Sequence, residues 1–131
     1  MANRVKIVFD HQYNGLLHAP NGTVRLGPEK GALAPYDLLL GGLGGCLNHT
    51  FQSIIDKQKV EIESIQYDIE GIKREEIPTT LKHVMVKVVV TGVQEGAQKK
   101  VESAFEKATR YCSVYQTLSH VAEMNYELTL K

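Results

Sequence analysis

Residues 34–50 read APYDLLLGGLGGCLNHT, and this stretch decides the fold. Pro35 suits the first position of a helix, where its missing N–H leaves no hydrogen bond unmade. Asp37 suits the first turn, which lies at the positive end of the helix dipole. Apolar residues then recur at helical spacing as far as Ile55. The sequence therefore predicts a long helix from about Pro35 to Lys59.

Four glycines interrupt the first half of this helix, at positions 41, 42, 44 and 45. Each weakens a helix by about 1 kcal/mol relative to alanine. Because the rest of Leu38–Leu47 is apolar, we expect a central helix that is enclosed on every side. The glycines would thin the packing around the thiol of Cys46 and leave it a pocket. The alternative is that Cys46 packs as a small buried hydrophobic residue.

The rest of the sequence predicts strands and a second long helix. Alternating apolar residues and Asn-Gly turns predict three short strands before Gly27. The order of all elements predicts a single α+β domain over residues 1–131, with antiparallel sheet packed on two main helices. The elements predicted after the first helix are strands at Ile65–Ile69 and Val84–Val90, helices at Gln94–Tyr111 and Val114–Val121, and a strand at Met124–Leu130.

The composition excludes several classes of protein. Lys and Arg together number 15, as do Asp and Glu, so the 131-residue chain carries no net charge. Because nucleic-acid binders carry a basic excess, we expect no nucleic-acid partner. The first ten residues lack an apolar leader, and Leu38–Leu47 is too short to span a bilayer. We therefore expect no membrane association, and two cysteines without an export signal favour the reducing cytoplasm.

The second cysteine, Cys112, falls between two predicted helices. If the segment after it is helical, its thiol lies at a helix N-terminus, where the dipole favours a thiolate and raises reactivity. The alternative, that Cys112 only packs, stays open.

Metal binding is not indicated. Cys46 and His49 share a helix face, but no CxxC or HxxxH motif supplies the rest of a four-ligand zinc site. We expect no metal and no organic cofactor. The remaining histidines are scattered and are expected at surface or strand positions: His11, His18, His83 and His120.

The two cysteine thiols are therefore the remaining candidates for reactive groups. The sequence contains no GxSxG nucleophile elbow, and no histidine is paired by local context with either cysteine. If Cys46 and Cys112 meet in the fold, they form a peroxide-reducing or redox-sensing pair.

Two motifs resemble those of the OsmC/Ohr family, the osmotically induced and organic hydroperoxide resistance proteins. Residues 34–46, followed by Thr50, resemble the family signature around the first cysteine. Residues 111–114, followed by Thr117 and Leu118, resemble the second motif, usually Cys-Pro-Val with Thr-Leu shortly after. The motifs occur in the family's order, and the resemblance covers essentially the whole chain.

The resemblance implies an intertwined homodimer, with sheet wrapped around two central helices and an active site at each side of the interface. It implies that Cys46 attacks a hydroperoxide and becomes a sulfenic acid. Cys112 would then condense with it to a disulfide, which an external dithiol reduces. The alternative is that this chain is a non-catalytic member of the family, which binds a small apolar or thiol-reactive ligand in the interface cavity.

The sequence departs from the family pattern at three places. Family peroxidases pair the thiolate with an arginine from the N-terminal region and a glutamate directly after the helix-opening proline. Here Tyr36 stands at the glutamate position, and Arg25 is the only arginine between Arg4 and Cys46. Ser113 replaces the usual proline. The candidate pocket residues are Arg25, Tyr36, Asp37 and Thr50, and the apolar flanks Leu39, Leu43 and Leu47 favour an organic hydroperoxide.

Overall fold

The chain forms two compact units, one ending at Gly41 and the other running from Gly42 to Lys131. The structure is a computed structural model, and it describes residues 2–10 and 12–131. His11, expected at a surface or strand position, lies outside the described residues. The first unit contains three antiparallel strands in the order β1-β2-β3, as the sequence predicted before Gly27: β1 (Lys6–Phe9), β2 (Gly15–Ala19) and β3 (Gly22–Leu26).

One face of this first sheet is apolar and open. Ile7 pairs with Leu17, and Leu17 with Val24, so the three side chains share a face. Phe9 lies on the same face, and Ile7 and Phe9 are 40% and 49% exposed. A sheet face of this composition normally packs against another layer.

The long helix α1 spans Pro35–Lys57 and begins at the predicted proline. The Asp37 carboxylate accepts a hydrogen bond of 2.9 Å from the N–H of Ala34, which caps the first turn. The helix ends two residues earlier than predicted, and Lys59 adopts a left-handed conformation with φ of 58°. No helix among residues 2–10 and 12–131, α1 included, is long and apolar enough to cross a membrane.

Only one stripe of α1 is buried within the chain. The stripe recurs every fourth residue and consists of Leu43, Leu47, Phe51 and Ile55. The helix is thus not enclosed on every side in a single chain, contrary to the sequence prediction. Gly42 and Gly45 are exposed, and a Cβ at either would meet no described atom within 4 Å. Gly42 and Gly45 therefore lie on an open helix face, the glycine face, whereas a Cβ at Gly44 would lie 3.2 Å from the Ile69 side chain.

The second unit contains a mixed sheet in the order β4-β5-β6. β4 (Ser64–Lys73) and β5 (Leu81–Thr91) are antiparallel, whereas β6 (Glu123–Leu130) runs parallel to β5. A parallel pair needs a long crossover, which α2 (Gln98–Tyr111) and α3 (Ser113–Ser119) supply. The α+β fold class is confirmed, with β5 and β6 forming the one parallel pair among the described strands.

The second helix starts four residues later than predicted. The segment before it contains Gly92 and Gly96, whose φ angles of 70° and 82° lie in the left-handed region. Such residues end a strand with a turn and delay the first helical residue. The short helix predicted at Val114–Val121 is present as α3.

The core of the second unit lies between one sheet face and the helices. Alternate residues of β5, including Val86 and Val88, are buried, as are Val101 and Ala108 of α2. The Phe105 ring lies at their centre, with ring centroids 5.4, 6.4 and 5.0 Å from those of three aromatic neighbours: Phe51, Tyr67 and Tyr126. This packing fixes α1 and the α2–α3 junction on the same sheet.

Candidate functional site

Cys112 lies at the junction between α2 and α3 and is fully buried, with 0% of its surface exposed. Its N–H donates to the carbonyl of Ala108 over 2.8 Å and closes α2. Its Sγ accepts a hydrogen bond of 3.5 Å from the N–H of Tyr115, so the thiol caps α3. The chain must turn between the two helices at this residue, and the turn directs the side chain into the core.

Cys46 lies on α1 at the border between the buried stripe and the open glycine face, and it is half-buried. Both cysteines are free thiols, and each shifts the pKa of the other, so the two thiols lie close together. The Ser113 Oγ lies 3.8 Å from the Cys46 Sγ, and Ser113 directly follows Cys112 in the chain. The structure thus brings the cysteines of both sequence motifs close to each other within the second unit.

The environment of Cys46 favours its thiolate. Burial raises the pKa of Cys46, but hydrogen bonds from the Val114 amide and the Cys112 thiol lower it. The hydroxyl and amide of Ser113 add to this lowering, and the pKa comes to lie below its ordinary value. A thiol with a lowered pKa and an accessible surface is the reactive form of cysteine.

The environment of Cys112 favours the protonated thiol. Burial is the largest cause that raises its pKa, the hydrogen bond to Cys46 adds to it, and the pKa reaches about 11. The Tyr115 amide at the start of α3 lowers the pKa, as the sequence predicted, but by less than burial raises it. Of the two interpretations that the sequence left open, a thiol activated by the helix N-terminus and a thiol that only packs, the balance at Cys112 therefore favours the second.

The other predicted pocket residues have structural partners. The Thr50 Oγ1 donates to the carbonyl of Cys46 over 3.0 Å, within its own helix. In the first unit, the Asp37 carboxylate caps α1 and the Arg25 guanidinium pairs with Glu29. Tyr36 is half-buried in the first turn of α1.

The three leucines expected to flank the thiol differ in exposure. Leu43 and Leu47 are 0% exposed and belong to the buried stripe of α1. They point into the core because residues four apart share a helix face. Leu39 is 37% exposed. The preference for an organic hydroperoxide, which the sequence suggested from these three leucines, stays a prediction.

Two polar residues near the thiols were not singled out from the sequence. The Tyr67 hydroxyl donates to Asn48 Oδ1 over 3.3 Å. Burial, and secondly the charge of Cys112, raises the pKa of Tyr67. Asn48 is a polar residue within an apolar helix, and this pattern was the available signal. Among the described residues, no group of three or more His, Cys, Asp or Glu is placed to hold a metal, so Cys46 and His49 have no third ligand.

Comparison with known proteins identifies the family of the chain. The family described as OsmC-like protein matches residues 27–127. The chain belongs to the OsmC-like family. No curated protein matches the OsmC-like chain.

Solved structures share the OsmC-like fold over nearly the whole chain. A hypothetical protein from Aquifex aeolicus VF5 is 26% identical with a TM-score of 0.83, and the match covers 100% of this chain and 98% of that one. An OsmC-like protein from Mycoplasma pneumoniae has a TM-score of 0.86 at 16% identity, covering 99% and 97%. An organic hydroperoxide resistance protein OsmC from Legionella pneumophila has a TM-score of 0.74 at 19% identity, covering 98% and 97%.

Proposed function

We propose that this OsmC-like protein is a thiol-dependent reductase of organic hydroperoxides that protects against oxidative stress. Cys46 is the nucleophile and Cys112 the resolving thiol. One observation carries the proposal: a half-buried thiol with a lowered pKa lies close to a fully buried thiol with a raised pKa. The two thiols thus differ in the properties that separate an attacking thiol from a resolving one.

The first step oxidises Cys46. Its thiolate attacks the terminal oxygen of the hydroperoxide, so that an S–O bond forms as the O–O bond breaks. The sulfur becomes a sulfenic acid, and the departing alkoxide takes a proton from solvent and leaves as the alcohol. Cys112 does not start this step, because it is fully buried and its pKa is about 11.

The second step joins the two sulfurs. Cys112 loses its proton and attacks the sulfenic sulfur, an S–S bond forms, and the hydroxide that leaves takes up a proton as water. An external dithiol then reduces the disulfide and is itself oxidised to a disulfide. No metal or organic cofactor enters either step.

Oxidation of Cys46 primes Cys112 for the second step. Burial is the largest cause of the raised pKa of Cys112, and the hydrogen bond and charge of Cys46 contribute further. A sulfenic acid is neutral, so the repulsion between two thiolates disappears once Cys46 is oxidised. The pKa of Cys112 then falls, and the resolving thiolate becomes available after the peroxide has reacted.

Similar proteins support the substrate class. The Legionella pneumophila structure is titled an organic hydroperoxide resistance protein, and so is a structure from Elizabethkingia anophelis. We propose the same substrate class, organic hydroperoxides, for the present chain because it has both thiols of the proposed reaction close together.

We propose further that the protein acts as a homodimer in the cytoplasm. The apolar face of the first sheet and the glycine face of α1 are open in a single chain. A second copy would cover such surfaces, since apolar sheet faces normally pack against another layer. Two free cysteines fit a reducing compartment. Light scattering coupled to size-exclusion chromatography tests the dimer, and a monomer mass at micromolar concentration would contradict it.

Consumption of tert-butyl hydroperoxide in the presence of dithiothreitol tests the activity. We expect the rate of peroxide consumption by the Cys46→Ser variant to fall to the background rate without protein. Ser53→Ala provides a matched control on the same helix, because the Ser53 hydroxyl donates to the carbonyl of His49 over 2.8 Å and not to a thiol. Turnover by Cys46→Ser at the wild-type rate would show that Cys46 is not the nucleophile.

A non-catalytic binder is the second candidate, favoured by Tyr36 at the position of the family glutamate. The intact mass after one equivalent of peroxide, without reductant and under denaturing conditions, separates the two functions. The reductase loses two hydrogens per chain, and its Cys112→Ser variant gains one or more oxygens. A binder keeps two unchanged thiols.

A further inference from the structure

The hydroxyl of Ser113 has an unusual partner among the helical hydroxyls. Several serines and threonines in the helices donate to backbone carbonyls, such as Thr50 to Cys46 O and Thr117 to Ser113 O. Ser119 donates in the same way to the carbonyl of Gln116. Ser113 is the first residue of α3, and its Oγ lies 3.8 Å from the Cys46 sulfur, 67 positions away in the chain.

This contact joins the two sequence motifs. Cys46 sits on α1, and Ser113 directly follows the resolving thiol Cys112. A thiolate only accepts hydrogen bonds, so beside an ionised Cys46 the serine hydroxyl must be the donor. Hydrogen bonds to an ionised acceptor are about twice as strong as neutral ones.

We propose that Ser113 is a catalytic residue of the reductase: its hydroxyl donates to the Cys46 thiolate and holds that thiolate ready for attack on the peroxide. This role rests on the proposed function. The proposal gives a function to Ser113, the residue at the position where the second motif usually has proline.

The electrostatics of Cys46 agree with this role. Burial raises its pKa, and the donors that lower it include both the hydroxyl and the amide of Ser113. Proline at the same position would provide neither donor, since it has no hydroxyl and no N–H. Among the described residues, Cys112 is the titratable group that shifts the pKa of Cys46, and its thiol also acts as a donor.

Three substitutions at one position separate the contributions. Ser113→Ala removes the hydroxyl and keeps the amide N–H. Ser113→Pro removes both donors and remains compatible with the first helical position. Ser113→Thr keeps the hydroxyl. Ser119→Ala is the matched control at the far end of α3, because its hydroxyl bonds only within the helix.

The decisive measurement is the pKa of Cys46, followed without peroxide by the NMR chemical shift of its Cβ. We expect this pKa to rise in Ser113→Ala, to rise further in Ser113→Pro, and to stay near the wild-type value in Ser113→Thr and Ser119→Ala. Peroxide consumption at pH 7 should fall about three- to ten-fold in Ser113→Ala, which corresponds to one hydrogen bond. The deficit should shrink as pH rises above the pKa of Cys46.

Two results would overturn the role of Ser113. One is an unchanged Cys46 pKa in Ser113→Ala. The other is an equal loss of rate in Ser113→Ala and Ser113→Thr at every pH, which would indicate a structural role. Because the pKa is measured without substrate, it tests Ser113 even if Cys46→Ser retains activity and the proposed reductase function fails.

Discussion

The regions around the two thiols differ although the thiols lie close together. Cys46 lies beside the open glycine face of α1, where hydrogen-bond donors outweigh burial and lower its pKa. Cys112 lies inside the junction of α2 and α3, where burial outweighs the donor amides and raises its pKa to about 11. Proximity makes the proposed pair possible, whereas the balance of burial against hydrogen bonding shifts the pKa values of the two thiols in opposite directions.

The largest effect should come from removing the ring at the centre of the core. Phe105 is fully buried and contacts three aromatic rings, so Phe105→Ala should lower the free energy of unfolding by about 3–5 kcal/mol. Urea denaturation measures this change. Lys107→Ala on the exposed side of the same helix should stay within about 0.5 kcal/mol of wild type. Equal effects would show that the α2 core does not stabilise the site.

The next largest effect concerns the reactivity of the two thiols. In the native protein at pH 7, iodoacetamide should alkylate Cys46 at least about 100-fold faster than Cys112, because only Cys46 combines exposure with a lowered pKa. Peptide mass spectrometry after timed quenching measures both rates. The difference should vanish in denaturant, where burial no longer applies. A faster reaction at Cys112 in the native state would reverse the assigned roles.

Local rules explain how far the sequence predicts this fold. Pro35 and Asp37 predict where α1 begins because helix-end preferences depend on adjacent residues, and Asp37 forms the cap that its position indicates. The alternation along β4 and β6 likewise predicts strands. The parallel pairing of β6 with β5 follows from the crossover and has no local signal.

The properties of the thiols depend on distant residues and were predicted only in part. The motif resemblance implied that Cys46 and Cys112 act together, and in the structure the two thiols lie close enough to shift each other's pKa. The local position of Cys112 indicated a lowered pKa. Core packing around the α2–α3 junction reverses that direction, and burial of this kind cannot be derived from neighbouring residues.

A smaller effect is expected from the influence of Cys46 on the pKa of Cys112. Burial chiefly raises the pKa of Cys112, and the hydrogen bond and charge of Cys46 raise it further. In Cys46→Ser the neighbour is always neutral, so the pKa of Cys112 should fall below about 11 yet stay above its ordinary value. The NMR chemical shift of the Cys112 Cβ measures the change, with Ser53→Ala as control. An unchanged pKa would mean that the two thiols titrate independently.

The smallest effect should come from Thr50, although its place in the motif around Cys46 made it a pocket candidate. Its hydroxyl donates to the Cys46 carbonyl over 3.0 Å and is therefore directed along the helix and not at the sulfur. Thr50→Val keeps the branched shape and removes only this bond, which a helix tolerates. Peroxide consumption should change less than about two-fold, since one neutral hydrogen bond outside the reacting groups does not enter the transition state. A ten-fold loss with an unchanged Cys46 pKa would instead place the Thr50 hydroxyl on the substrate, and the open side of the site would then extend along α1 beyond Cys46.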